Sequence, residues 1–176
     1  MRHLTVLSTL ILSLLVAATA QAANRTSATA ALDAAFLRLL ASDNNSIQMS
    51  LYDIDDKLTE CQALRVTLDE SLYLQYQLDE MDDRIQDLSD LYNSVDVSAG
   101  LCDTFYGYAS DHYDAAESWW NIGDWFKCED ECGYCHDDLD SFDTNETTFW
   151  ANYSDPGQLY DDFMDEYNNP MGGMYP

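Results

Sequence analysis

The chain has 176 residues, with 33 acidic side chains against 7 basic ones, a net charge of −26 and 47% hydrophobic residues. Such a charge repels phosphate backbones and anionic lipid, which excludes nucleic acid and points to cations, basic proteins or basic polymers as partners. There is no Gly-rich phosphate loop and no nucleophile elbow, and only His112 and His136 follow the N-terminal segment, so the chain reads as non-enzymatic.

Residues 1–22 have the pattern of a secretory signal. Arg2 and His3 form the charged start, Leu4 to Ala18 the apolar core, and Ala20-Gln21-Ala22 the small-residue cleavage site. The apolar run is short for a membrane anchor, and no later segment reaches spanning length. The expected product is secreted and extracellular, with no membrane span after signal removal. Asn24, Asn44, Asn145 and Asn152 each begin an N-x-S/T sequon, more than composition predicts, and mark surface glycosylation in segments read as loops or termini.

Thr29 to Ala41 reads as a short helix with Leu32, Phe36, Leu39 and Leu40 on one side. The polar cluster Ser42–Ser46 ends it and supplies cap residues for the next helix. From Ser46 to Ser98 there is no Gly or Pro. Ile47, Leu51, Ile54, Leu58 and Cys61 recur at alternating steps of four and three. So do Leu78, Met81, Ile85, Leu88, Tyr92 and Val95. The two seams are out of phase near Leu72–Tyr76, but the lack of breakers predicts one long helix over about 46–98, roughly 80 Å in length. A rod of that kind needs companions along its seam, from this chain or from a second copy. Asp79, Asp83 and Asp87 repeat at i, i+4 and i+8, a like-charge stripe that a cation would relieve.

Gly100 is expected to end the rod, and an aromatic-rich helix from about Tyr108 to Phe126 to pack back on it. Residues 23–136 then form a helical domain that ends in a cysteine cluster. Residues 137–176 are an acidic, mostly irregular tail. Within that tail Asp155 and Pro156 start one short helix, with Leu159, Phe163 and Tyr167 on one face.

In a secreted chain Cys61, Cys102, Cys128, Cys132 and Cys135 are disulfide candidates, the odd one free to pair between chains. Cys132-Gly-Tyr-Cys135-His136 also fits the attachment site of c-type haem, and Cys-Gly-Tyr-Cys resembles the active site of thioredoxin-like disulfide isomerases. The flanking acids Glu129, Asp130, Glu131, Asp137 and Asp138 would raise the thiol pKa values, opposite to what a redox thiol needs. Zinc on the cluster is disfavoured because Cys135 and His136 are adjacent. Asp138 and Asp140 join the Asp stripe as candidates for diffuse calcium binding, but Phe142 breaks the EF-hand pattern.

The sequence therefore predicts an all-α, elongated, coiled-coil-like bundle: one long helix, shorter helices packed on it, and disulfide staples. The expected function is that of a structural or interaction protein that forms a homo-oligomer through the Ile47–Val95 seam, its charge neutralised by cations, low pH or a basic partner. One alternative is a haem or thiol redox protein using Cys132, Cys135 and His136. The other is a secreted signalling or binding factor.

Overall fold

The computed structural model describes the backbone of residues 2–173 and the side chains of residues 15–171. The charged start of the signal pattern, Arg2 and His3, and its apolar core up to Leu14 lie outside the described side chains. The described residues form α1 (Arg2–Ala41), α2 (Asn44–Thr67), α3 (Gln75–Ile122), α4 (Trp125–Asn152) and α5 (Gly157–Asn168), with 3-10 turns at Glu70–Leu72 and Pro170–Gly173. No strand occurs among them. The helices divide into two units, residues 1–42 with 105–141, and residues 43–104 with 142–176, so α3 and α4 each contribute to both.

The second unit is built on an antiparallel hairpin of α2 and the first part of α3. Its N-terminal end is set as the sequence indicates: Asp43 caps α2, its Oδ1 accepting the Ser46 N–H at 3.1 Å. Beside this open end Asn44 donates to Asp103 at 3.0 Å and Gln48 donates to the Ala99 carbonyl at 3.0 Å. At the other end Arg65 grips Asp82. Ile47, Leu51, Ile54, Leu58 and Cys61 are buried from one side, and Leu78, Met81, Leu88 and Val95 from the other.

The single rod over 46–98 is therefore corrected to two helices. The break needs neither Gly nor Pro because polar side chains cap it. Asp69 accepts the Ser71 N–H at 3.1 Å and the Ser71 hydroxyl at 2.7 Å. Gln77 reaches back to accept the Leu74 N–H at 3.2 Å, half of a capping box at the start of α3. The phase slip between the seams has a plain cause: each seam faces the other across the turn, so neither must continue it. Helix α5 then closes the turn end of the hairpin. Phe163 is fully buried in a cluster with Leu58, Cys61, Leu78, Met81 and Leu88, with Leu159 and Tyr167 packed against it. Tyr73 donates to the Tyr167 carbonyl at 2.6 Å, and Gln77 donates to Glu166 at 2.9 Å and to the Asn169 carbonyl at 2.8 Å. The helix starts one residue later than the sequence suggests: Pro156 takes the cap position, and Asp155 before it accepts the Gly157 N–H at 2.8 Å.

Gly100 does not end a helix; α3 passes through it. The seam from Leu78 to Ala99 continues without a change of step through Cys102, Tyr106, Ala109, Tyr113 and Ala116. The burial of Ala99, Cys102, Ala109 and Ala116 outweighs the roughly 1 kcal/mol that a helical glycine costs. The predicted helix from Tyr108 to Phe126 is thus the end of α3 plus a corner. At that corner Gly123 (φ +83°) donates to the Trp120 carbonyl at 3.1 Å and Asp124 to the Trp119 carbonyl at 3.0 Å, a Schellman stop. Asp124 then accepts the Lys127 N–H at 3.3 Å and opens α4.

The first unit packs the C-terminal half of α1, the end of α3 and the start of α4. Its core is made of small side chains: Ala28, Ala35, Ala109, Ala116, Cys128, Cys132 and Cys135, with Leu39 and Leu139. Trp120 donates to Thr29 at 3.1 Å, and Arg25 lies over the rings of Trp120 and Trp125 at 5.6 and 5.9 Å. The tail read as mostly irregular is helical to Asn152. Its inward positions Cys128, Cys132, Cys135, Leu139 and Phe142 repeat at steps of four and three, Phe149 follows seven further on, and all six are buried.

Candidate functional site: the cysteine face of the fourth helix

Cys128, Cys132 and Cys135 stand at i, i+4 and i+7 of α4, so all three project from one side of the helix. That side is the core of the first unit, where their exposures are 0%, 1% and 0%. The Cys128 Sγ lies 3.9 Å from the Ala28 carbonyl as its donor. Burial pushes the thiols upward, Cys132 to about 12 and Cys135 to about 11, with Asp138 adding to Cys135 and Glu129 to Cys132 as smaller causes. The flanking acids act in the direction the sequence suggests, but desolvation leads.

Cys61 and Cys102 belong to the second unit, at opposite ends of its hairpin. Both are buried and both thiols are pushed up to about 11, chiefly by burial. Cys102 contacts the Phe142 carbonyl at 3.9 Å. All five cysteines are free thiols, and among the described residues no two lie at disulfide distance, so the disulfide staples are not part of this fold. The physical reason is that the sulfurs serve as small apolar packing groups in helix interfaces.

The thioredoxin-like pattern needs its first cysteine at a helix N-terminus, where the dipole lowers the thiol pKa. Here α4 begins at Trp125, two turns earlier, and the thiols are raised. His136 is engaged as well. Arg38 donates from Nη1 to the His136 carbonyl at 3.1 Å, lies 3.4 Å from its Nδ1, and pairs through Nη2 with Asp140 at 2.5 Å. A haem bonded to both sulfurs would have to occupy a core already filled by Ala28, Ala35, Ala109 and Ala116.

The Asp candidates for cations are spread over several partners. Asp79 accepts from Gln75 at 2.8 Å, Asp87 pairs with Arg84 at 3.0 Å, Asp140 pairs with Arg38, and Asp138 faces His112 at 3.7 Å. Among the described residues no three His, Cys, Asp or Glu side chains converge to hold a metal ion. His112 was not singled out by sequence; its Nδ1 meets Glu131 at 2.7 Å, so it sits between two carboxylates of α4. The unseen corner at Gly123-Asp124 is what brings these helices together.

The four sequon asparagines all lie within helices rather than loops. Asn24 is inside α1, Asn44 opens α2 and donates to Asp103, Asn145 is inside α4, and Asn152 is the exposed last residue of α4. The seam residues proposed for self-association are buried by the chain's own helices, with Ile85 and Tyr92 half-buried. No helix of the described residues is long and apolar enough to cross a membrane. No family, no curated protein and no solved structure matches this chain.

Proposed function

We propose that the chain is a secreted, non-enzymatic interaction protein whose acidic exterior is neutralised by a cationic partner, a basic protein or polymer. One observation carries this reading: every Lys and Arg whose side chain is described already has a partner inside the chain. Arg38 pairs with Asp140, Lys57 with Asp53, Arg65 with Asp82 and Glu70, Arg84 with Glu80 and Asp87, and Lys127 with Asp124, while Arg25 stacks on two tryptophans. With 33 acids against 7 bases, the remaining negative charge can be balanced only from outside. Because the Ile47–Val95 seam is filled from within, self-association follows from bridging of acidic faces by the partner and not from a shared seam.

Light scattering of the full chain against polylysine tests the proposal. The expected result is a complex at low salt that dissolves near 1 M salt, where screening acts over only about 3 Å. Polyglutamate is the control. No change in mass with polylysine at low salt would remove the proposal.

A further inference from the structure

We infer that the first unit's fold belongs to the dithiol state, and that oxidising the Cys128–Cys132–Cys135 cluster requires α4 to unwind. Residues three or four apart on an α-helix hold their Cβ atoms about 5–6 Å apart. A disulfide needs about 3.5–4.5 Å. Cys128–Cys132 and Cys132–Cys135 therefore cannot close without moving the backbone of α4 out of helical geometry. Cys128 and Cys135 are two turns apart, about 10.5 Å along the axis, well beyond disulfide reach.

Access imposes the same condition. The three thiols are at most 1% exposed, in one cluster with Ala28, Ala35, Ala109 and Ala116. A small disulfide cannot touch them unless α4 opens. Burial also keeps them protonated at neutral pH, and the thiolate is the nucleophile. After opening, a cysteine thiolate of the cluster attacks glutathione disulfide, breaking its S–S bond and releasing one glutathione thiolate. A second cysteine, having lost its proton, attacks the mixed disulfide and releases the other. The protein dithiol gives up two electrons and two protons, and two glutathiones are formed. The product cannot refold its helix, because the closed pair no longer fits helical spacing. Helix and thiols thus protect one another: in the oxidising medium that secretion implies, the thiols persist only while α4 stays closed over them.

The test uses the full-length reduced chain. Maleimide labelling, mapped by mass spectrometry, is followed with rising urea, alongside helicity at 222 nm. Labelling of Cys128, Cys132 and Cys135 is expected to be slower in the folded chain by about 10³-fold or more, in proportion to the open fraction. Equilibration with glutathione disulfide is expected to lower helicity, and dithiothreitol to restore it. The variant Cys128→Ala/Cys132→Ala/Cys135→Ala, a change to a residue already common in this core, should keep its helicity in the same oxidant. Two results overturn the inference: thiols labelled as fast in buffer as in urea, or a mapped disulfide within the cluster at unchanged helicity. The second needs no variant to fold.

Discussion

Arg65 holds Asp82 across the hairpin turn by two bonds, Nε to Oδ1 at 2.8 Å and Nη2 to Oδ2 at 3.1 Å. A third contact, Nη1 to Glu70 at 2.9 Å, ties the same guanidinium to the 3-10 turn. These pairs raise the Arg65 pKa above its ordinary value. Asp82→Asn is expected to cost up to about 1 kcal/mol at low salt, since Asp82 is half-exposed, and less at high salt. Urea unfolding at two salt concentrations measures it.

Two glycines of opposite kind give a paired test. An added Cβ at Gly100 meets nothing within 4 Å, and the residue is exposed within α3. Gly100→Ala should stabilise by roughly 0.5–1 kcal/mol. Gly123 has φ +83° at the Schellman corner, where an L side chain is strained. Gly123→Ala should destabilise by about 1–2 kcal/mol. Thermal unfolding of the two variants should move in opposite directions.

These glycines also show what was legible before the fold was known. The end of α1 at Ala41, though not its start, a cap before α2 within Ser42–Ser46, both seams and a short helix after Asp155 with Phe163 inward all followed from local spacing. The break after Thr67 did not, because it is made by Asp69, Ser71 and Gln77, polar residues that also occur inside helices. Gly100 was misleading in the other sense: a lone glycine is a weak stop when Ala99 and Cys102 beside it are buried. In α4 the density of aspartates concealed a regular seam from Cys128 to Phe149, and reading the cysteines as staples hid their place in it. The contacts of His112 and Arg38 join residues 19 to 102 positions apart, and no spacing rule reaches them.

Phe163 anchors α5 to the hairpin with no exposed surface and stacks near Tyr167 at 6.2 Å. Phe163→Ala should cost about 3–5 kcal/mol. The backbone amides of α5, whose end is held by the side chains of Gln77 and Tyr73, should lose hydrogen-exchange protection together with it.

The buried thiols fix a sign for alkaline behaviour. Cys132, near 12, and Cys61, Cys102 and Cys135, near 11, all lie above the ordinary 9.0. A raised pKa contributes stability that is complete below pH 9 and is lost as pH climbs through 11 to 12, because the unfolded chain releases those protons first. Urea midpoints should fall between pH 9 and 11. The fall should be shallower in Cys132→Ala than in the unsubstituted chain.

Both seams are satisfied inside one chain, and thermal unfolding over a hundredfold range of protein concentration addresses that directly, without cationic partners and under reducing conditions. The expected result is a helical signal at monomer mass and a Tm that does not change with concentration. Helicity and Tm that fall together on dilution would show that a second copy completes the fold, and would contradict it.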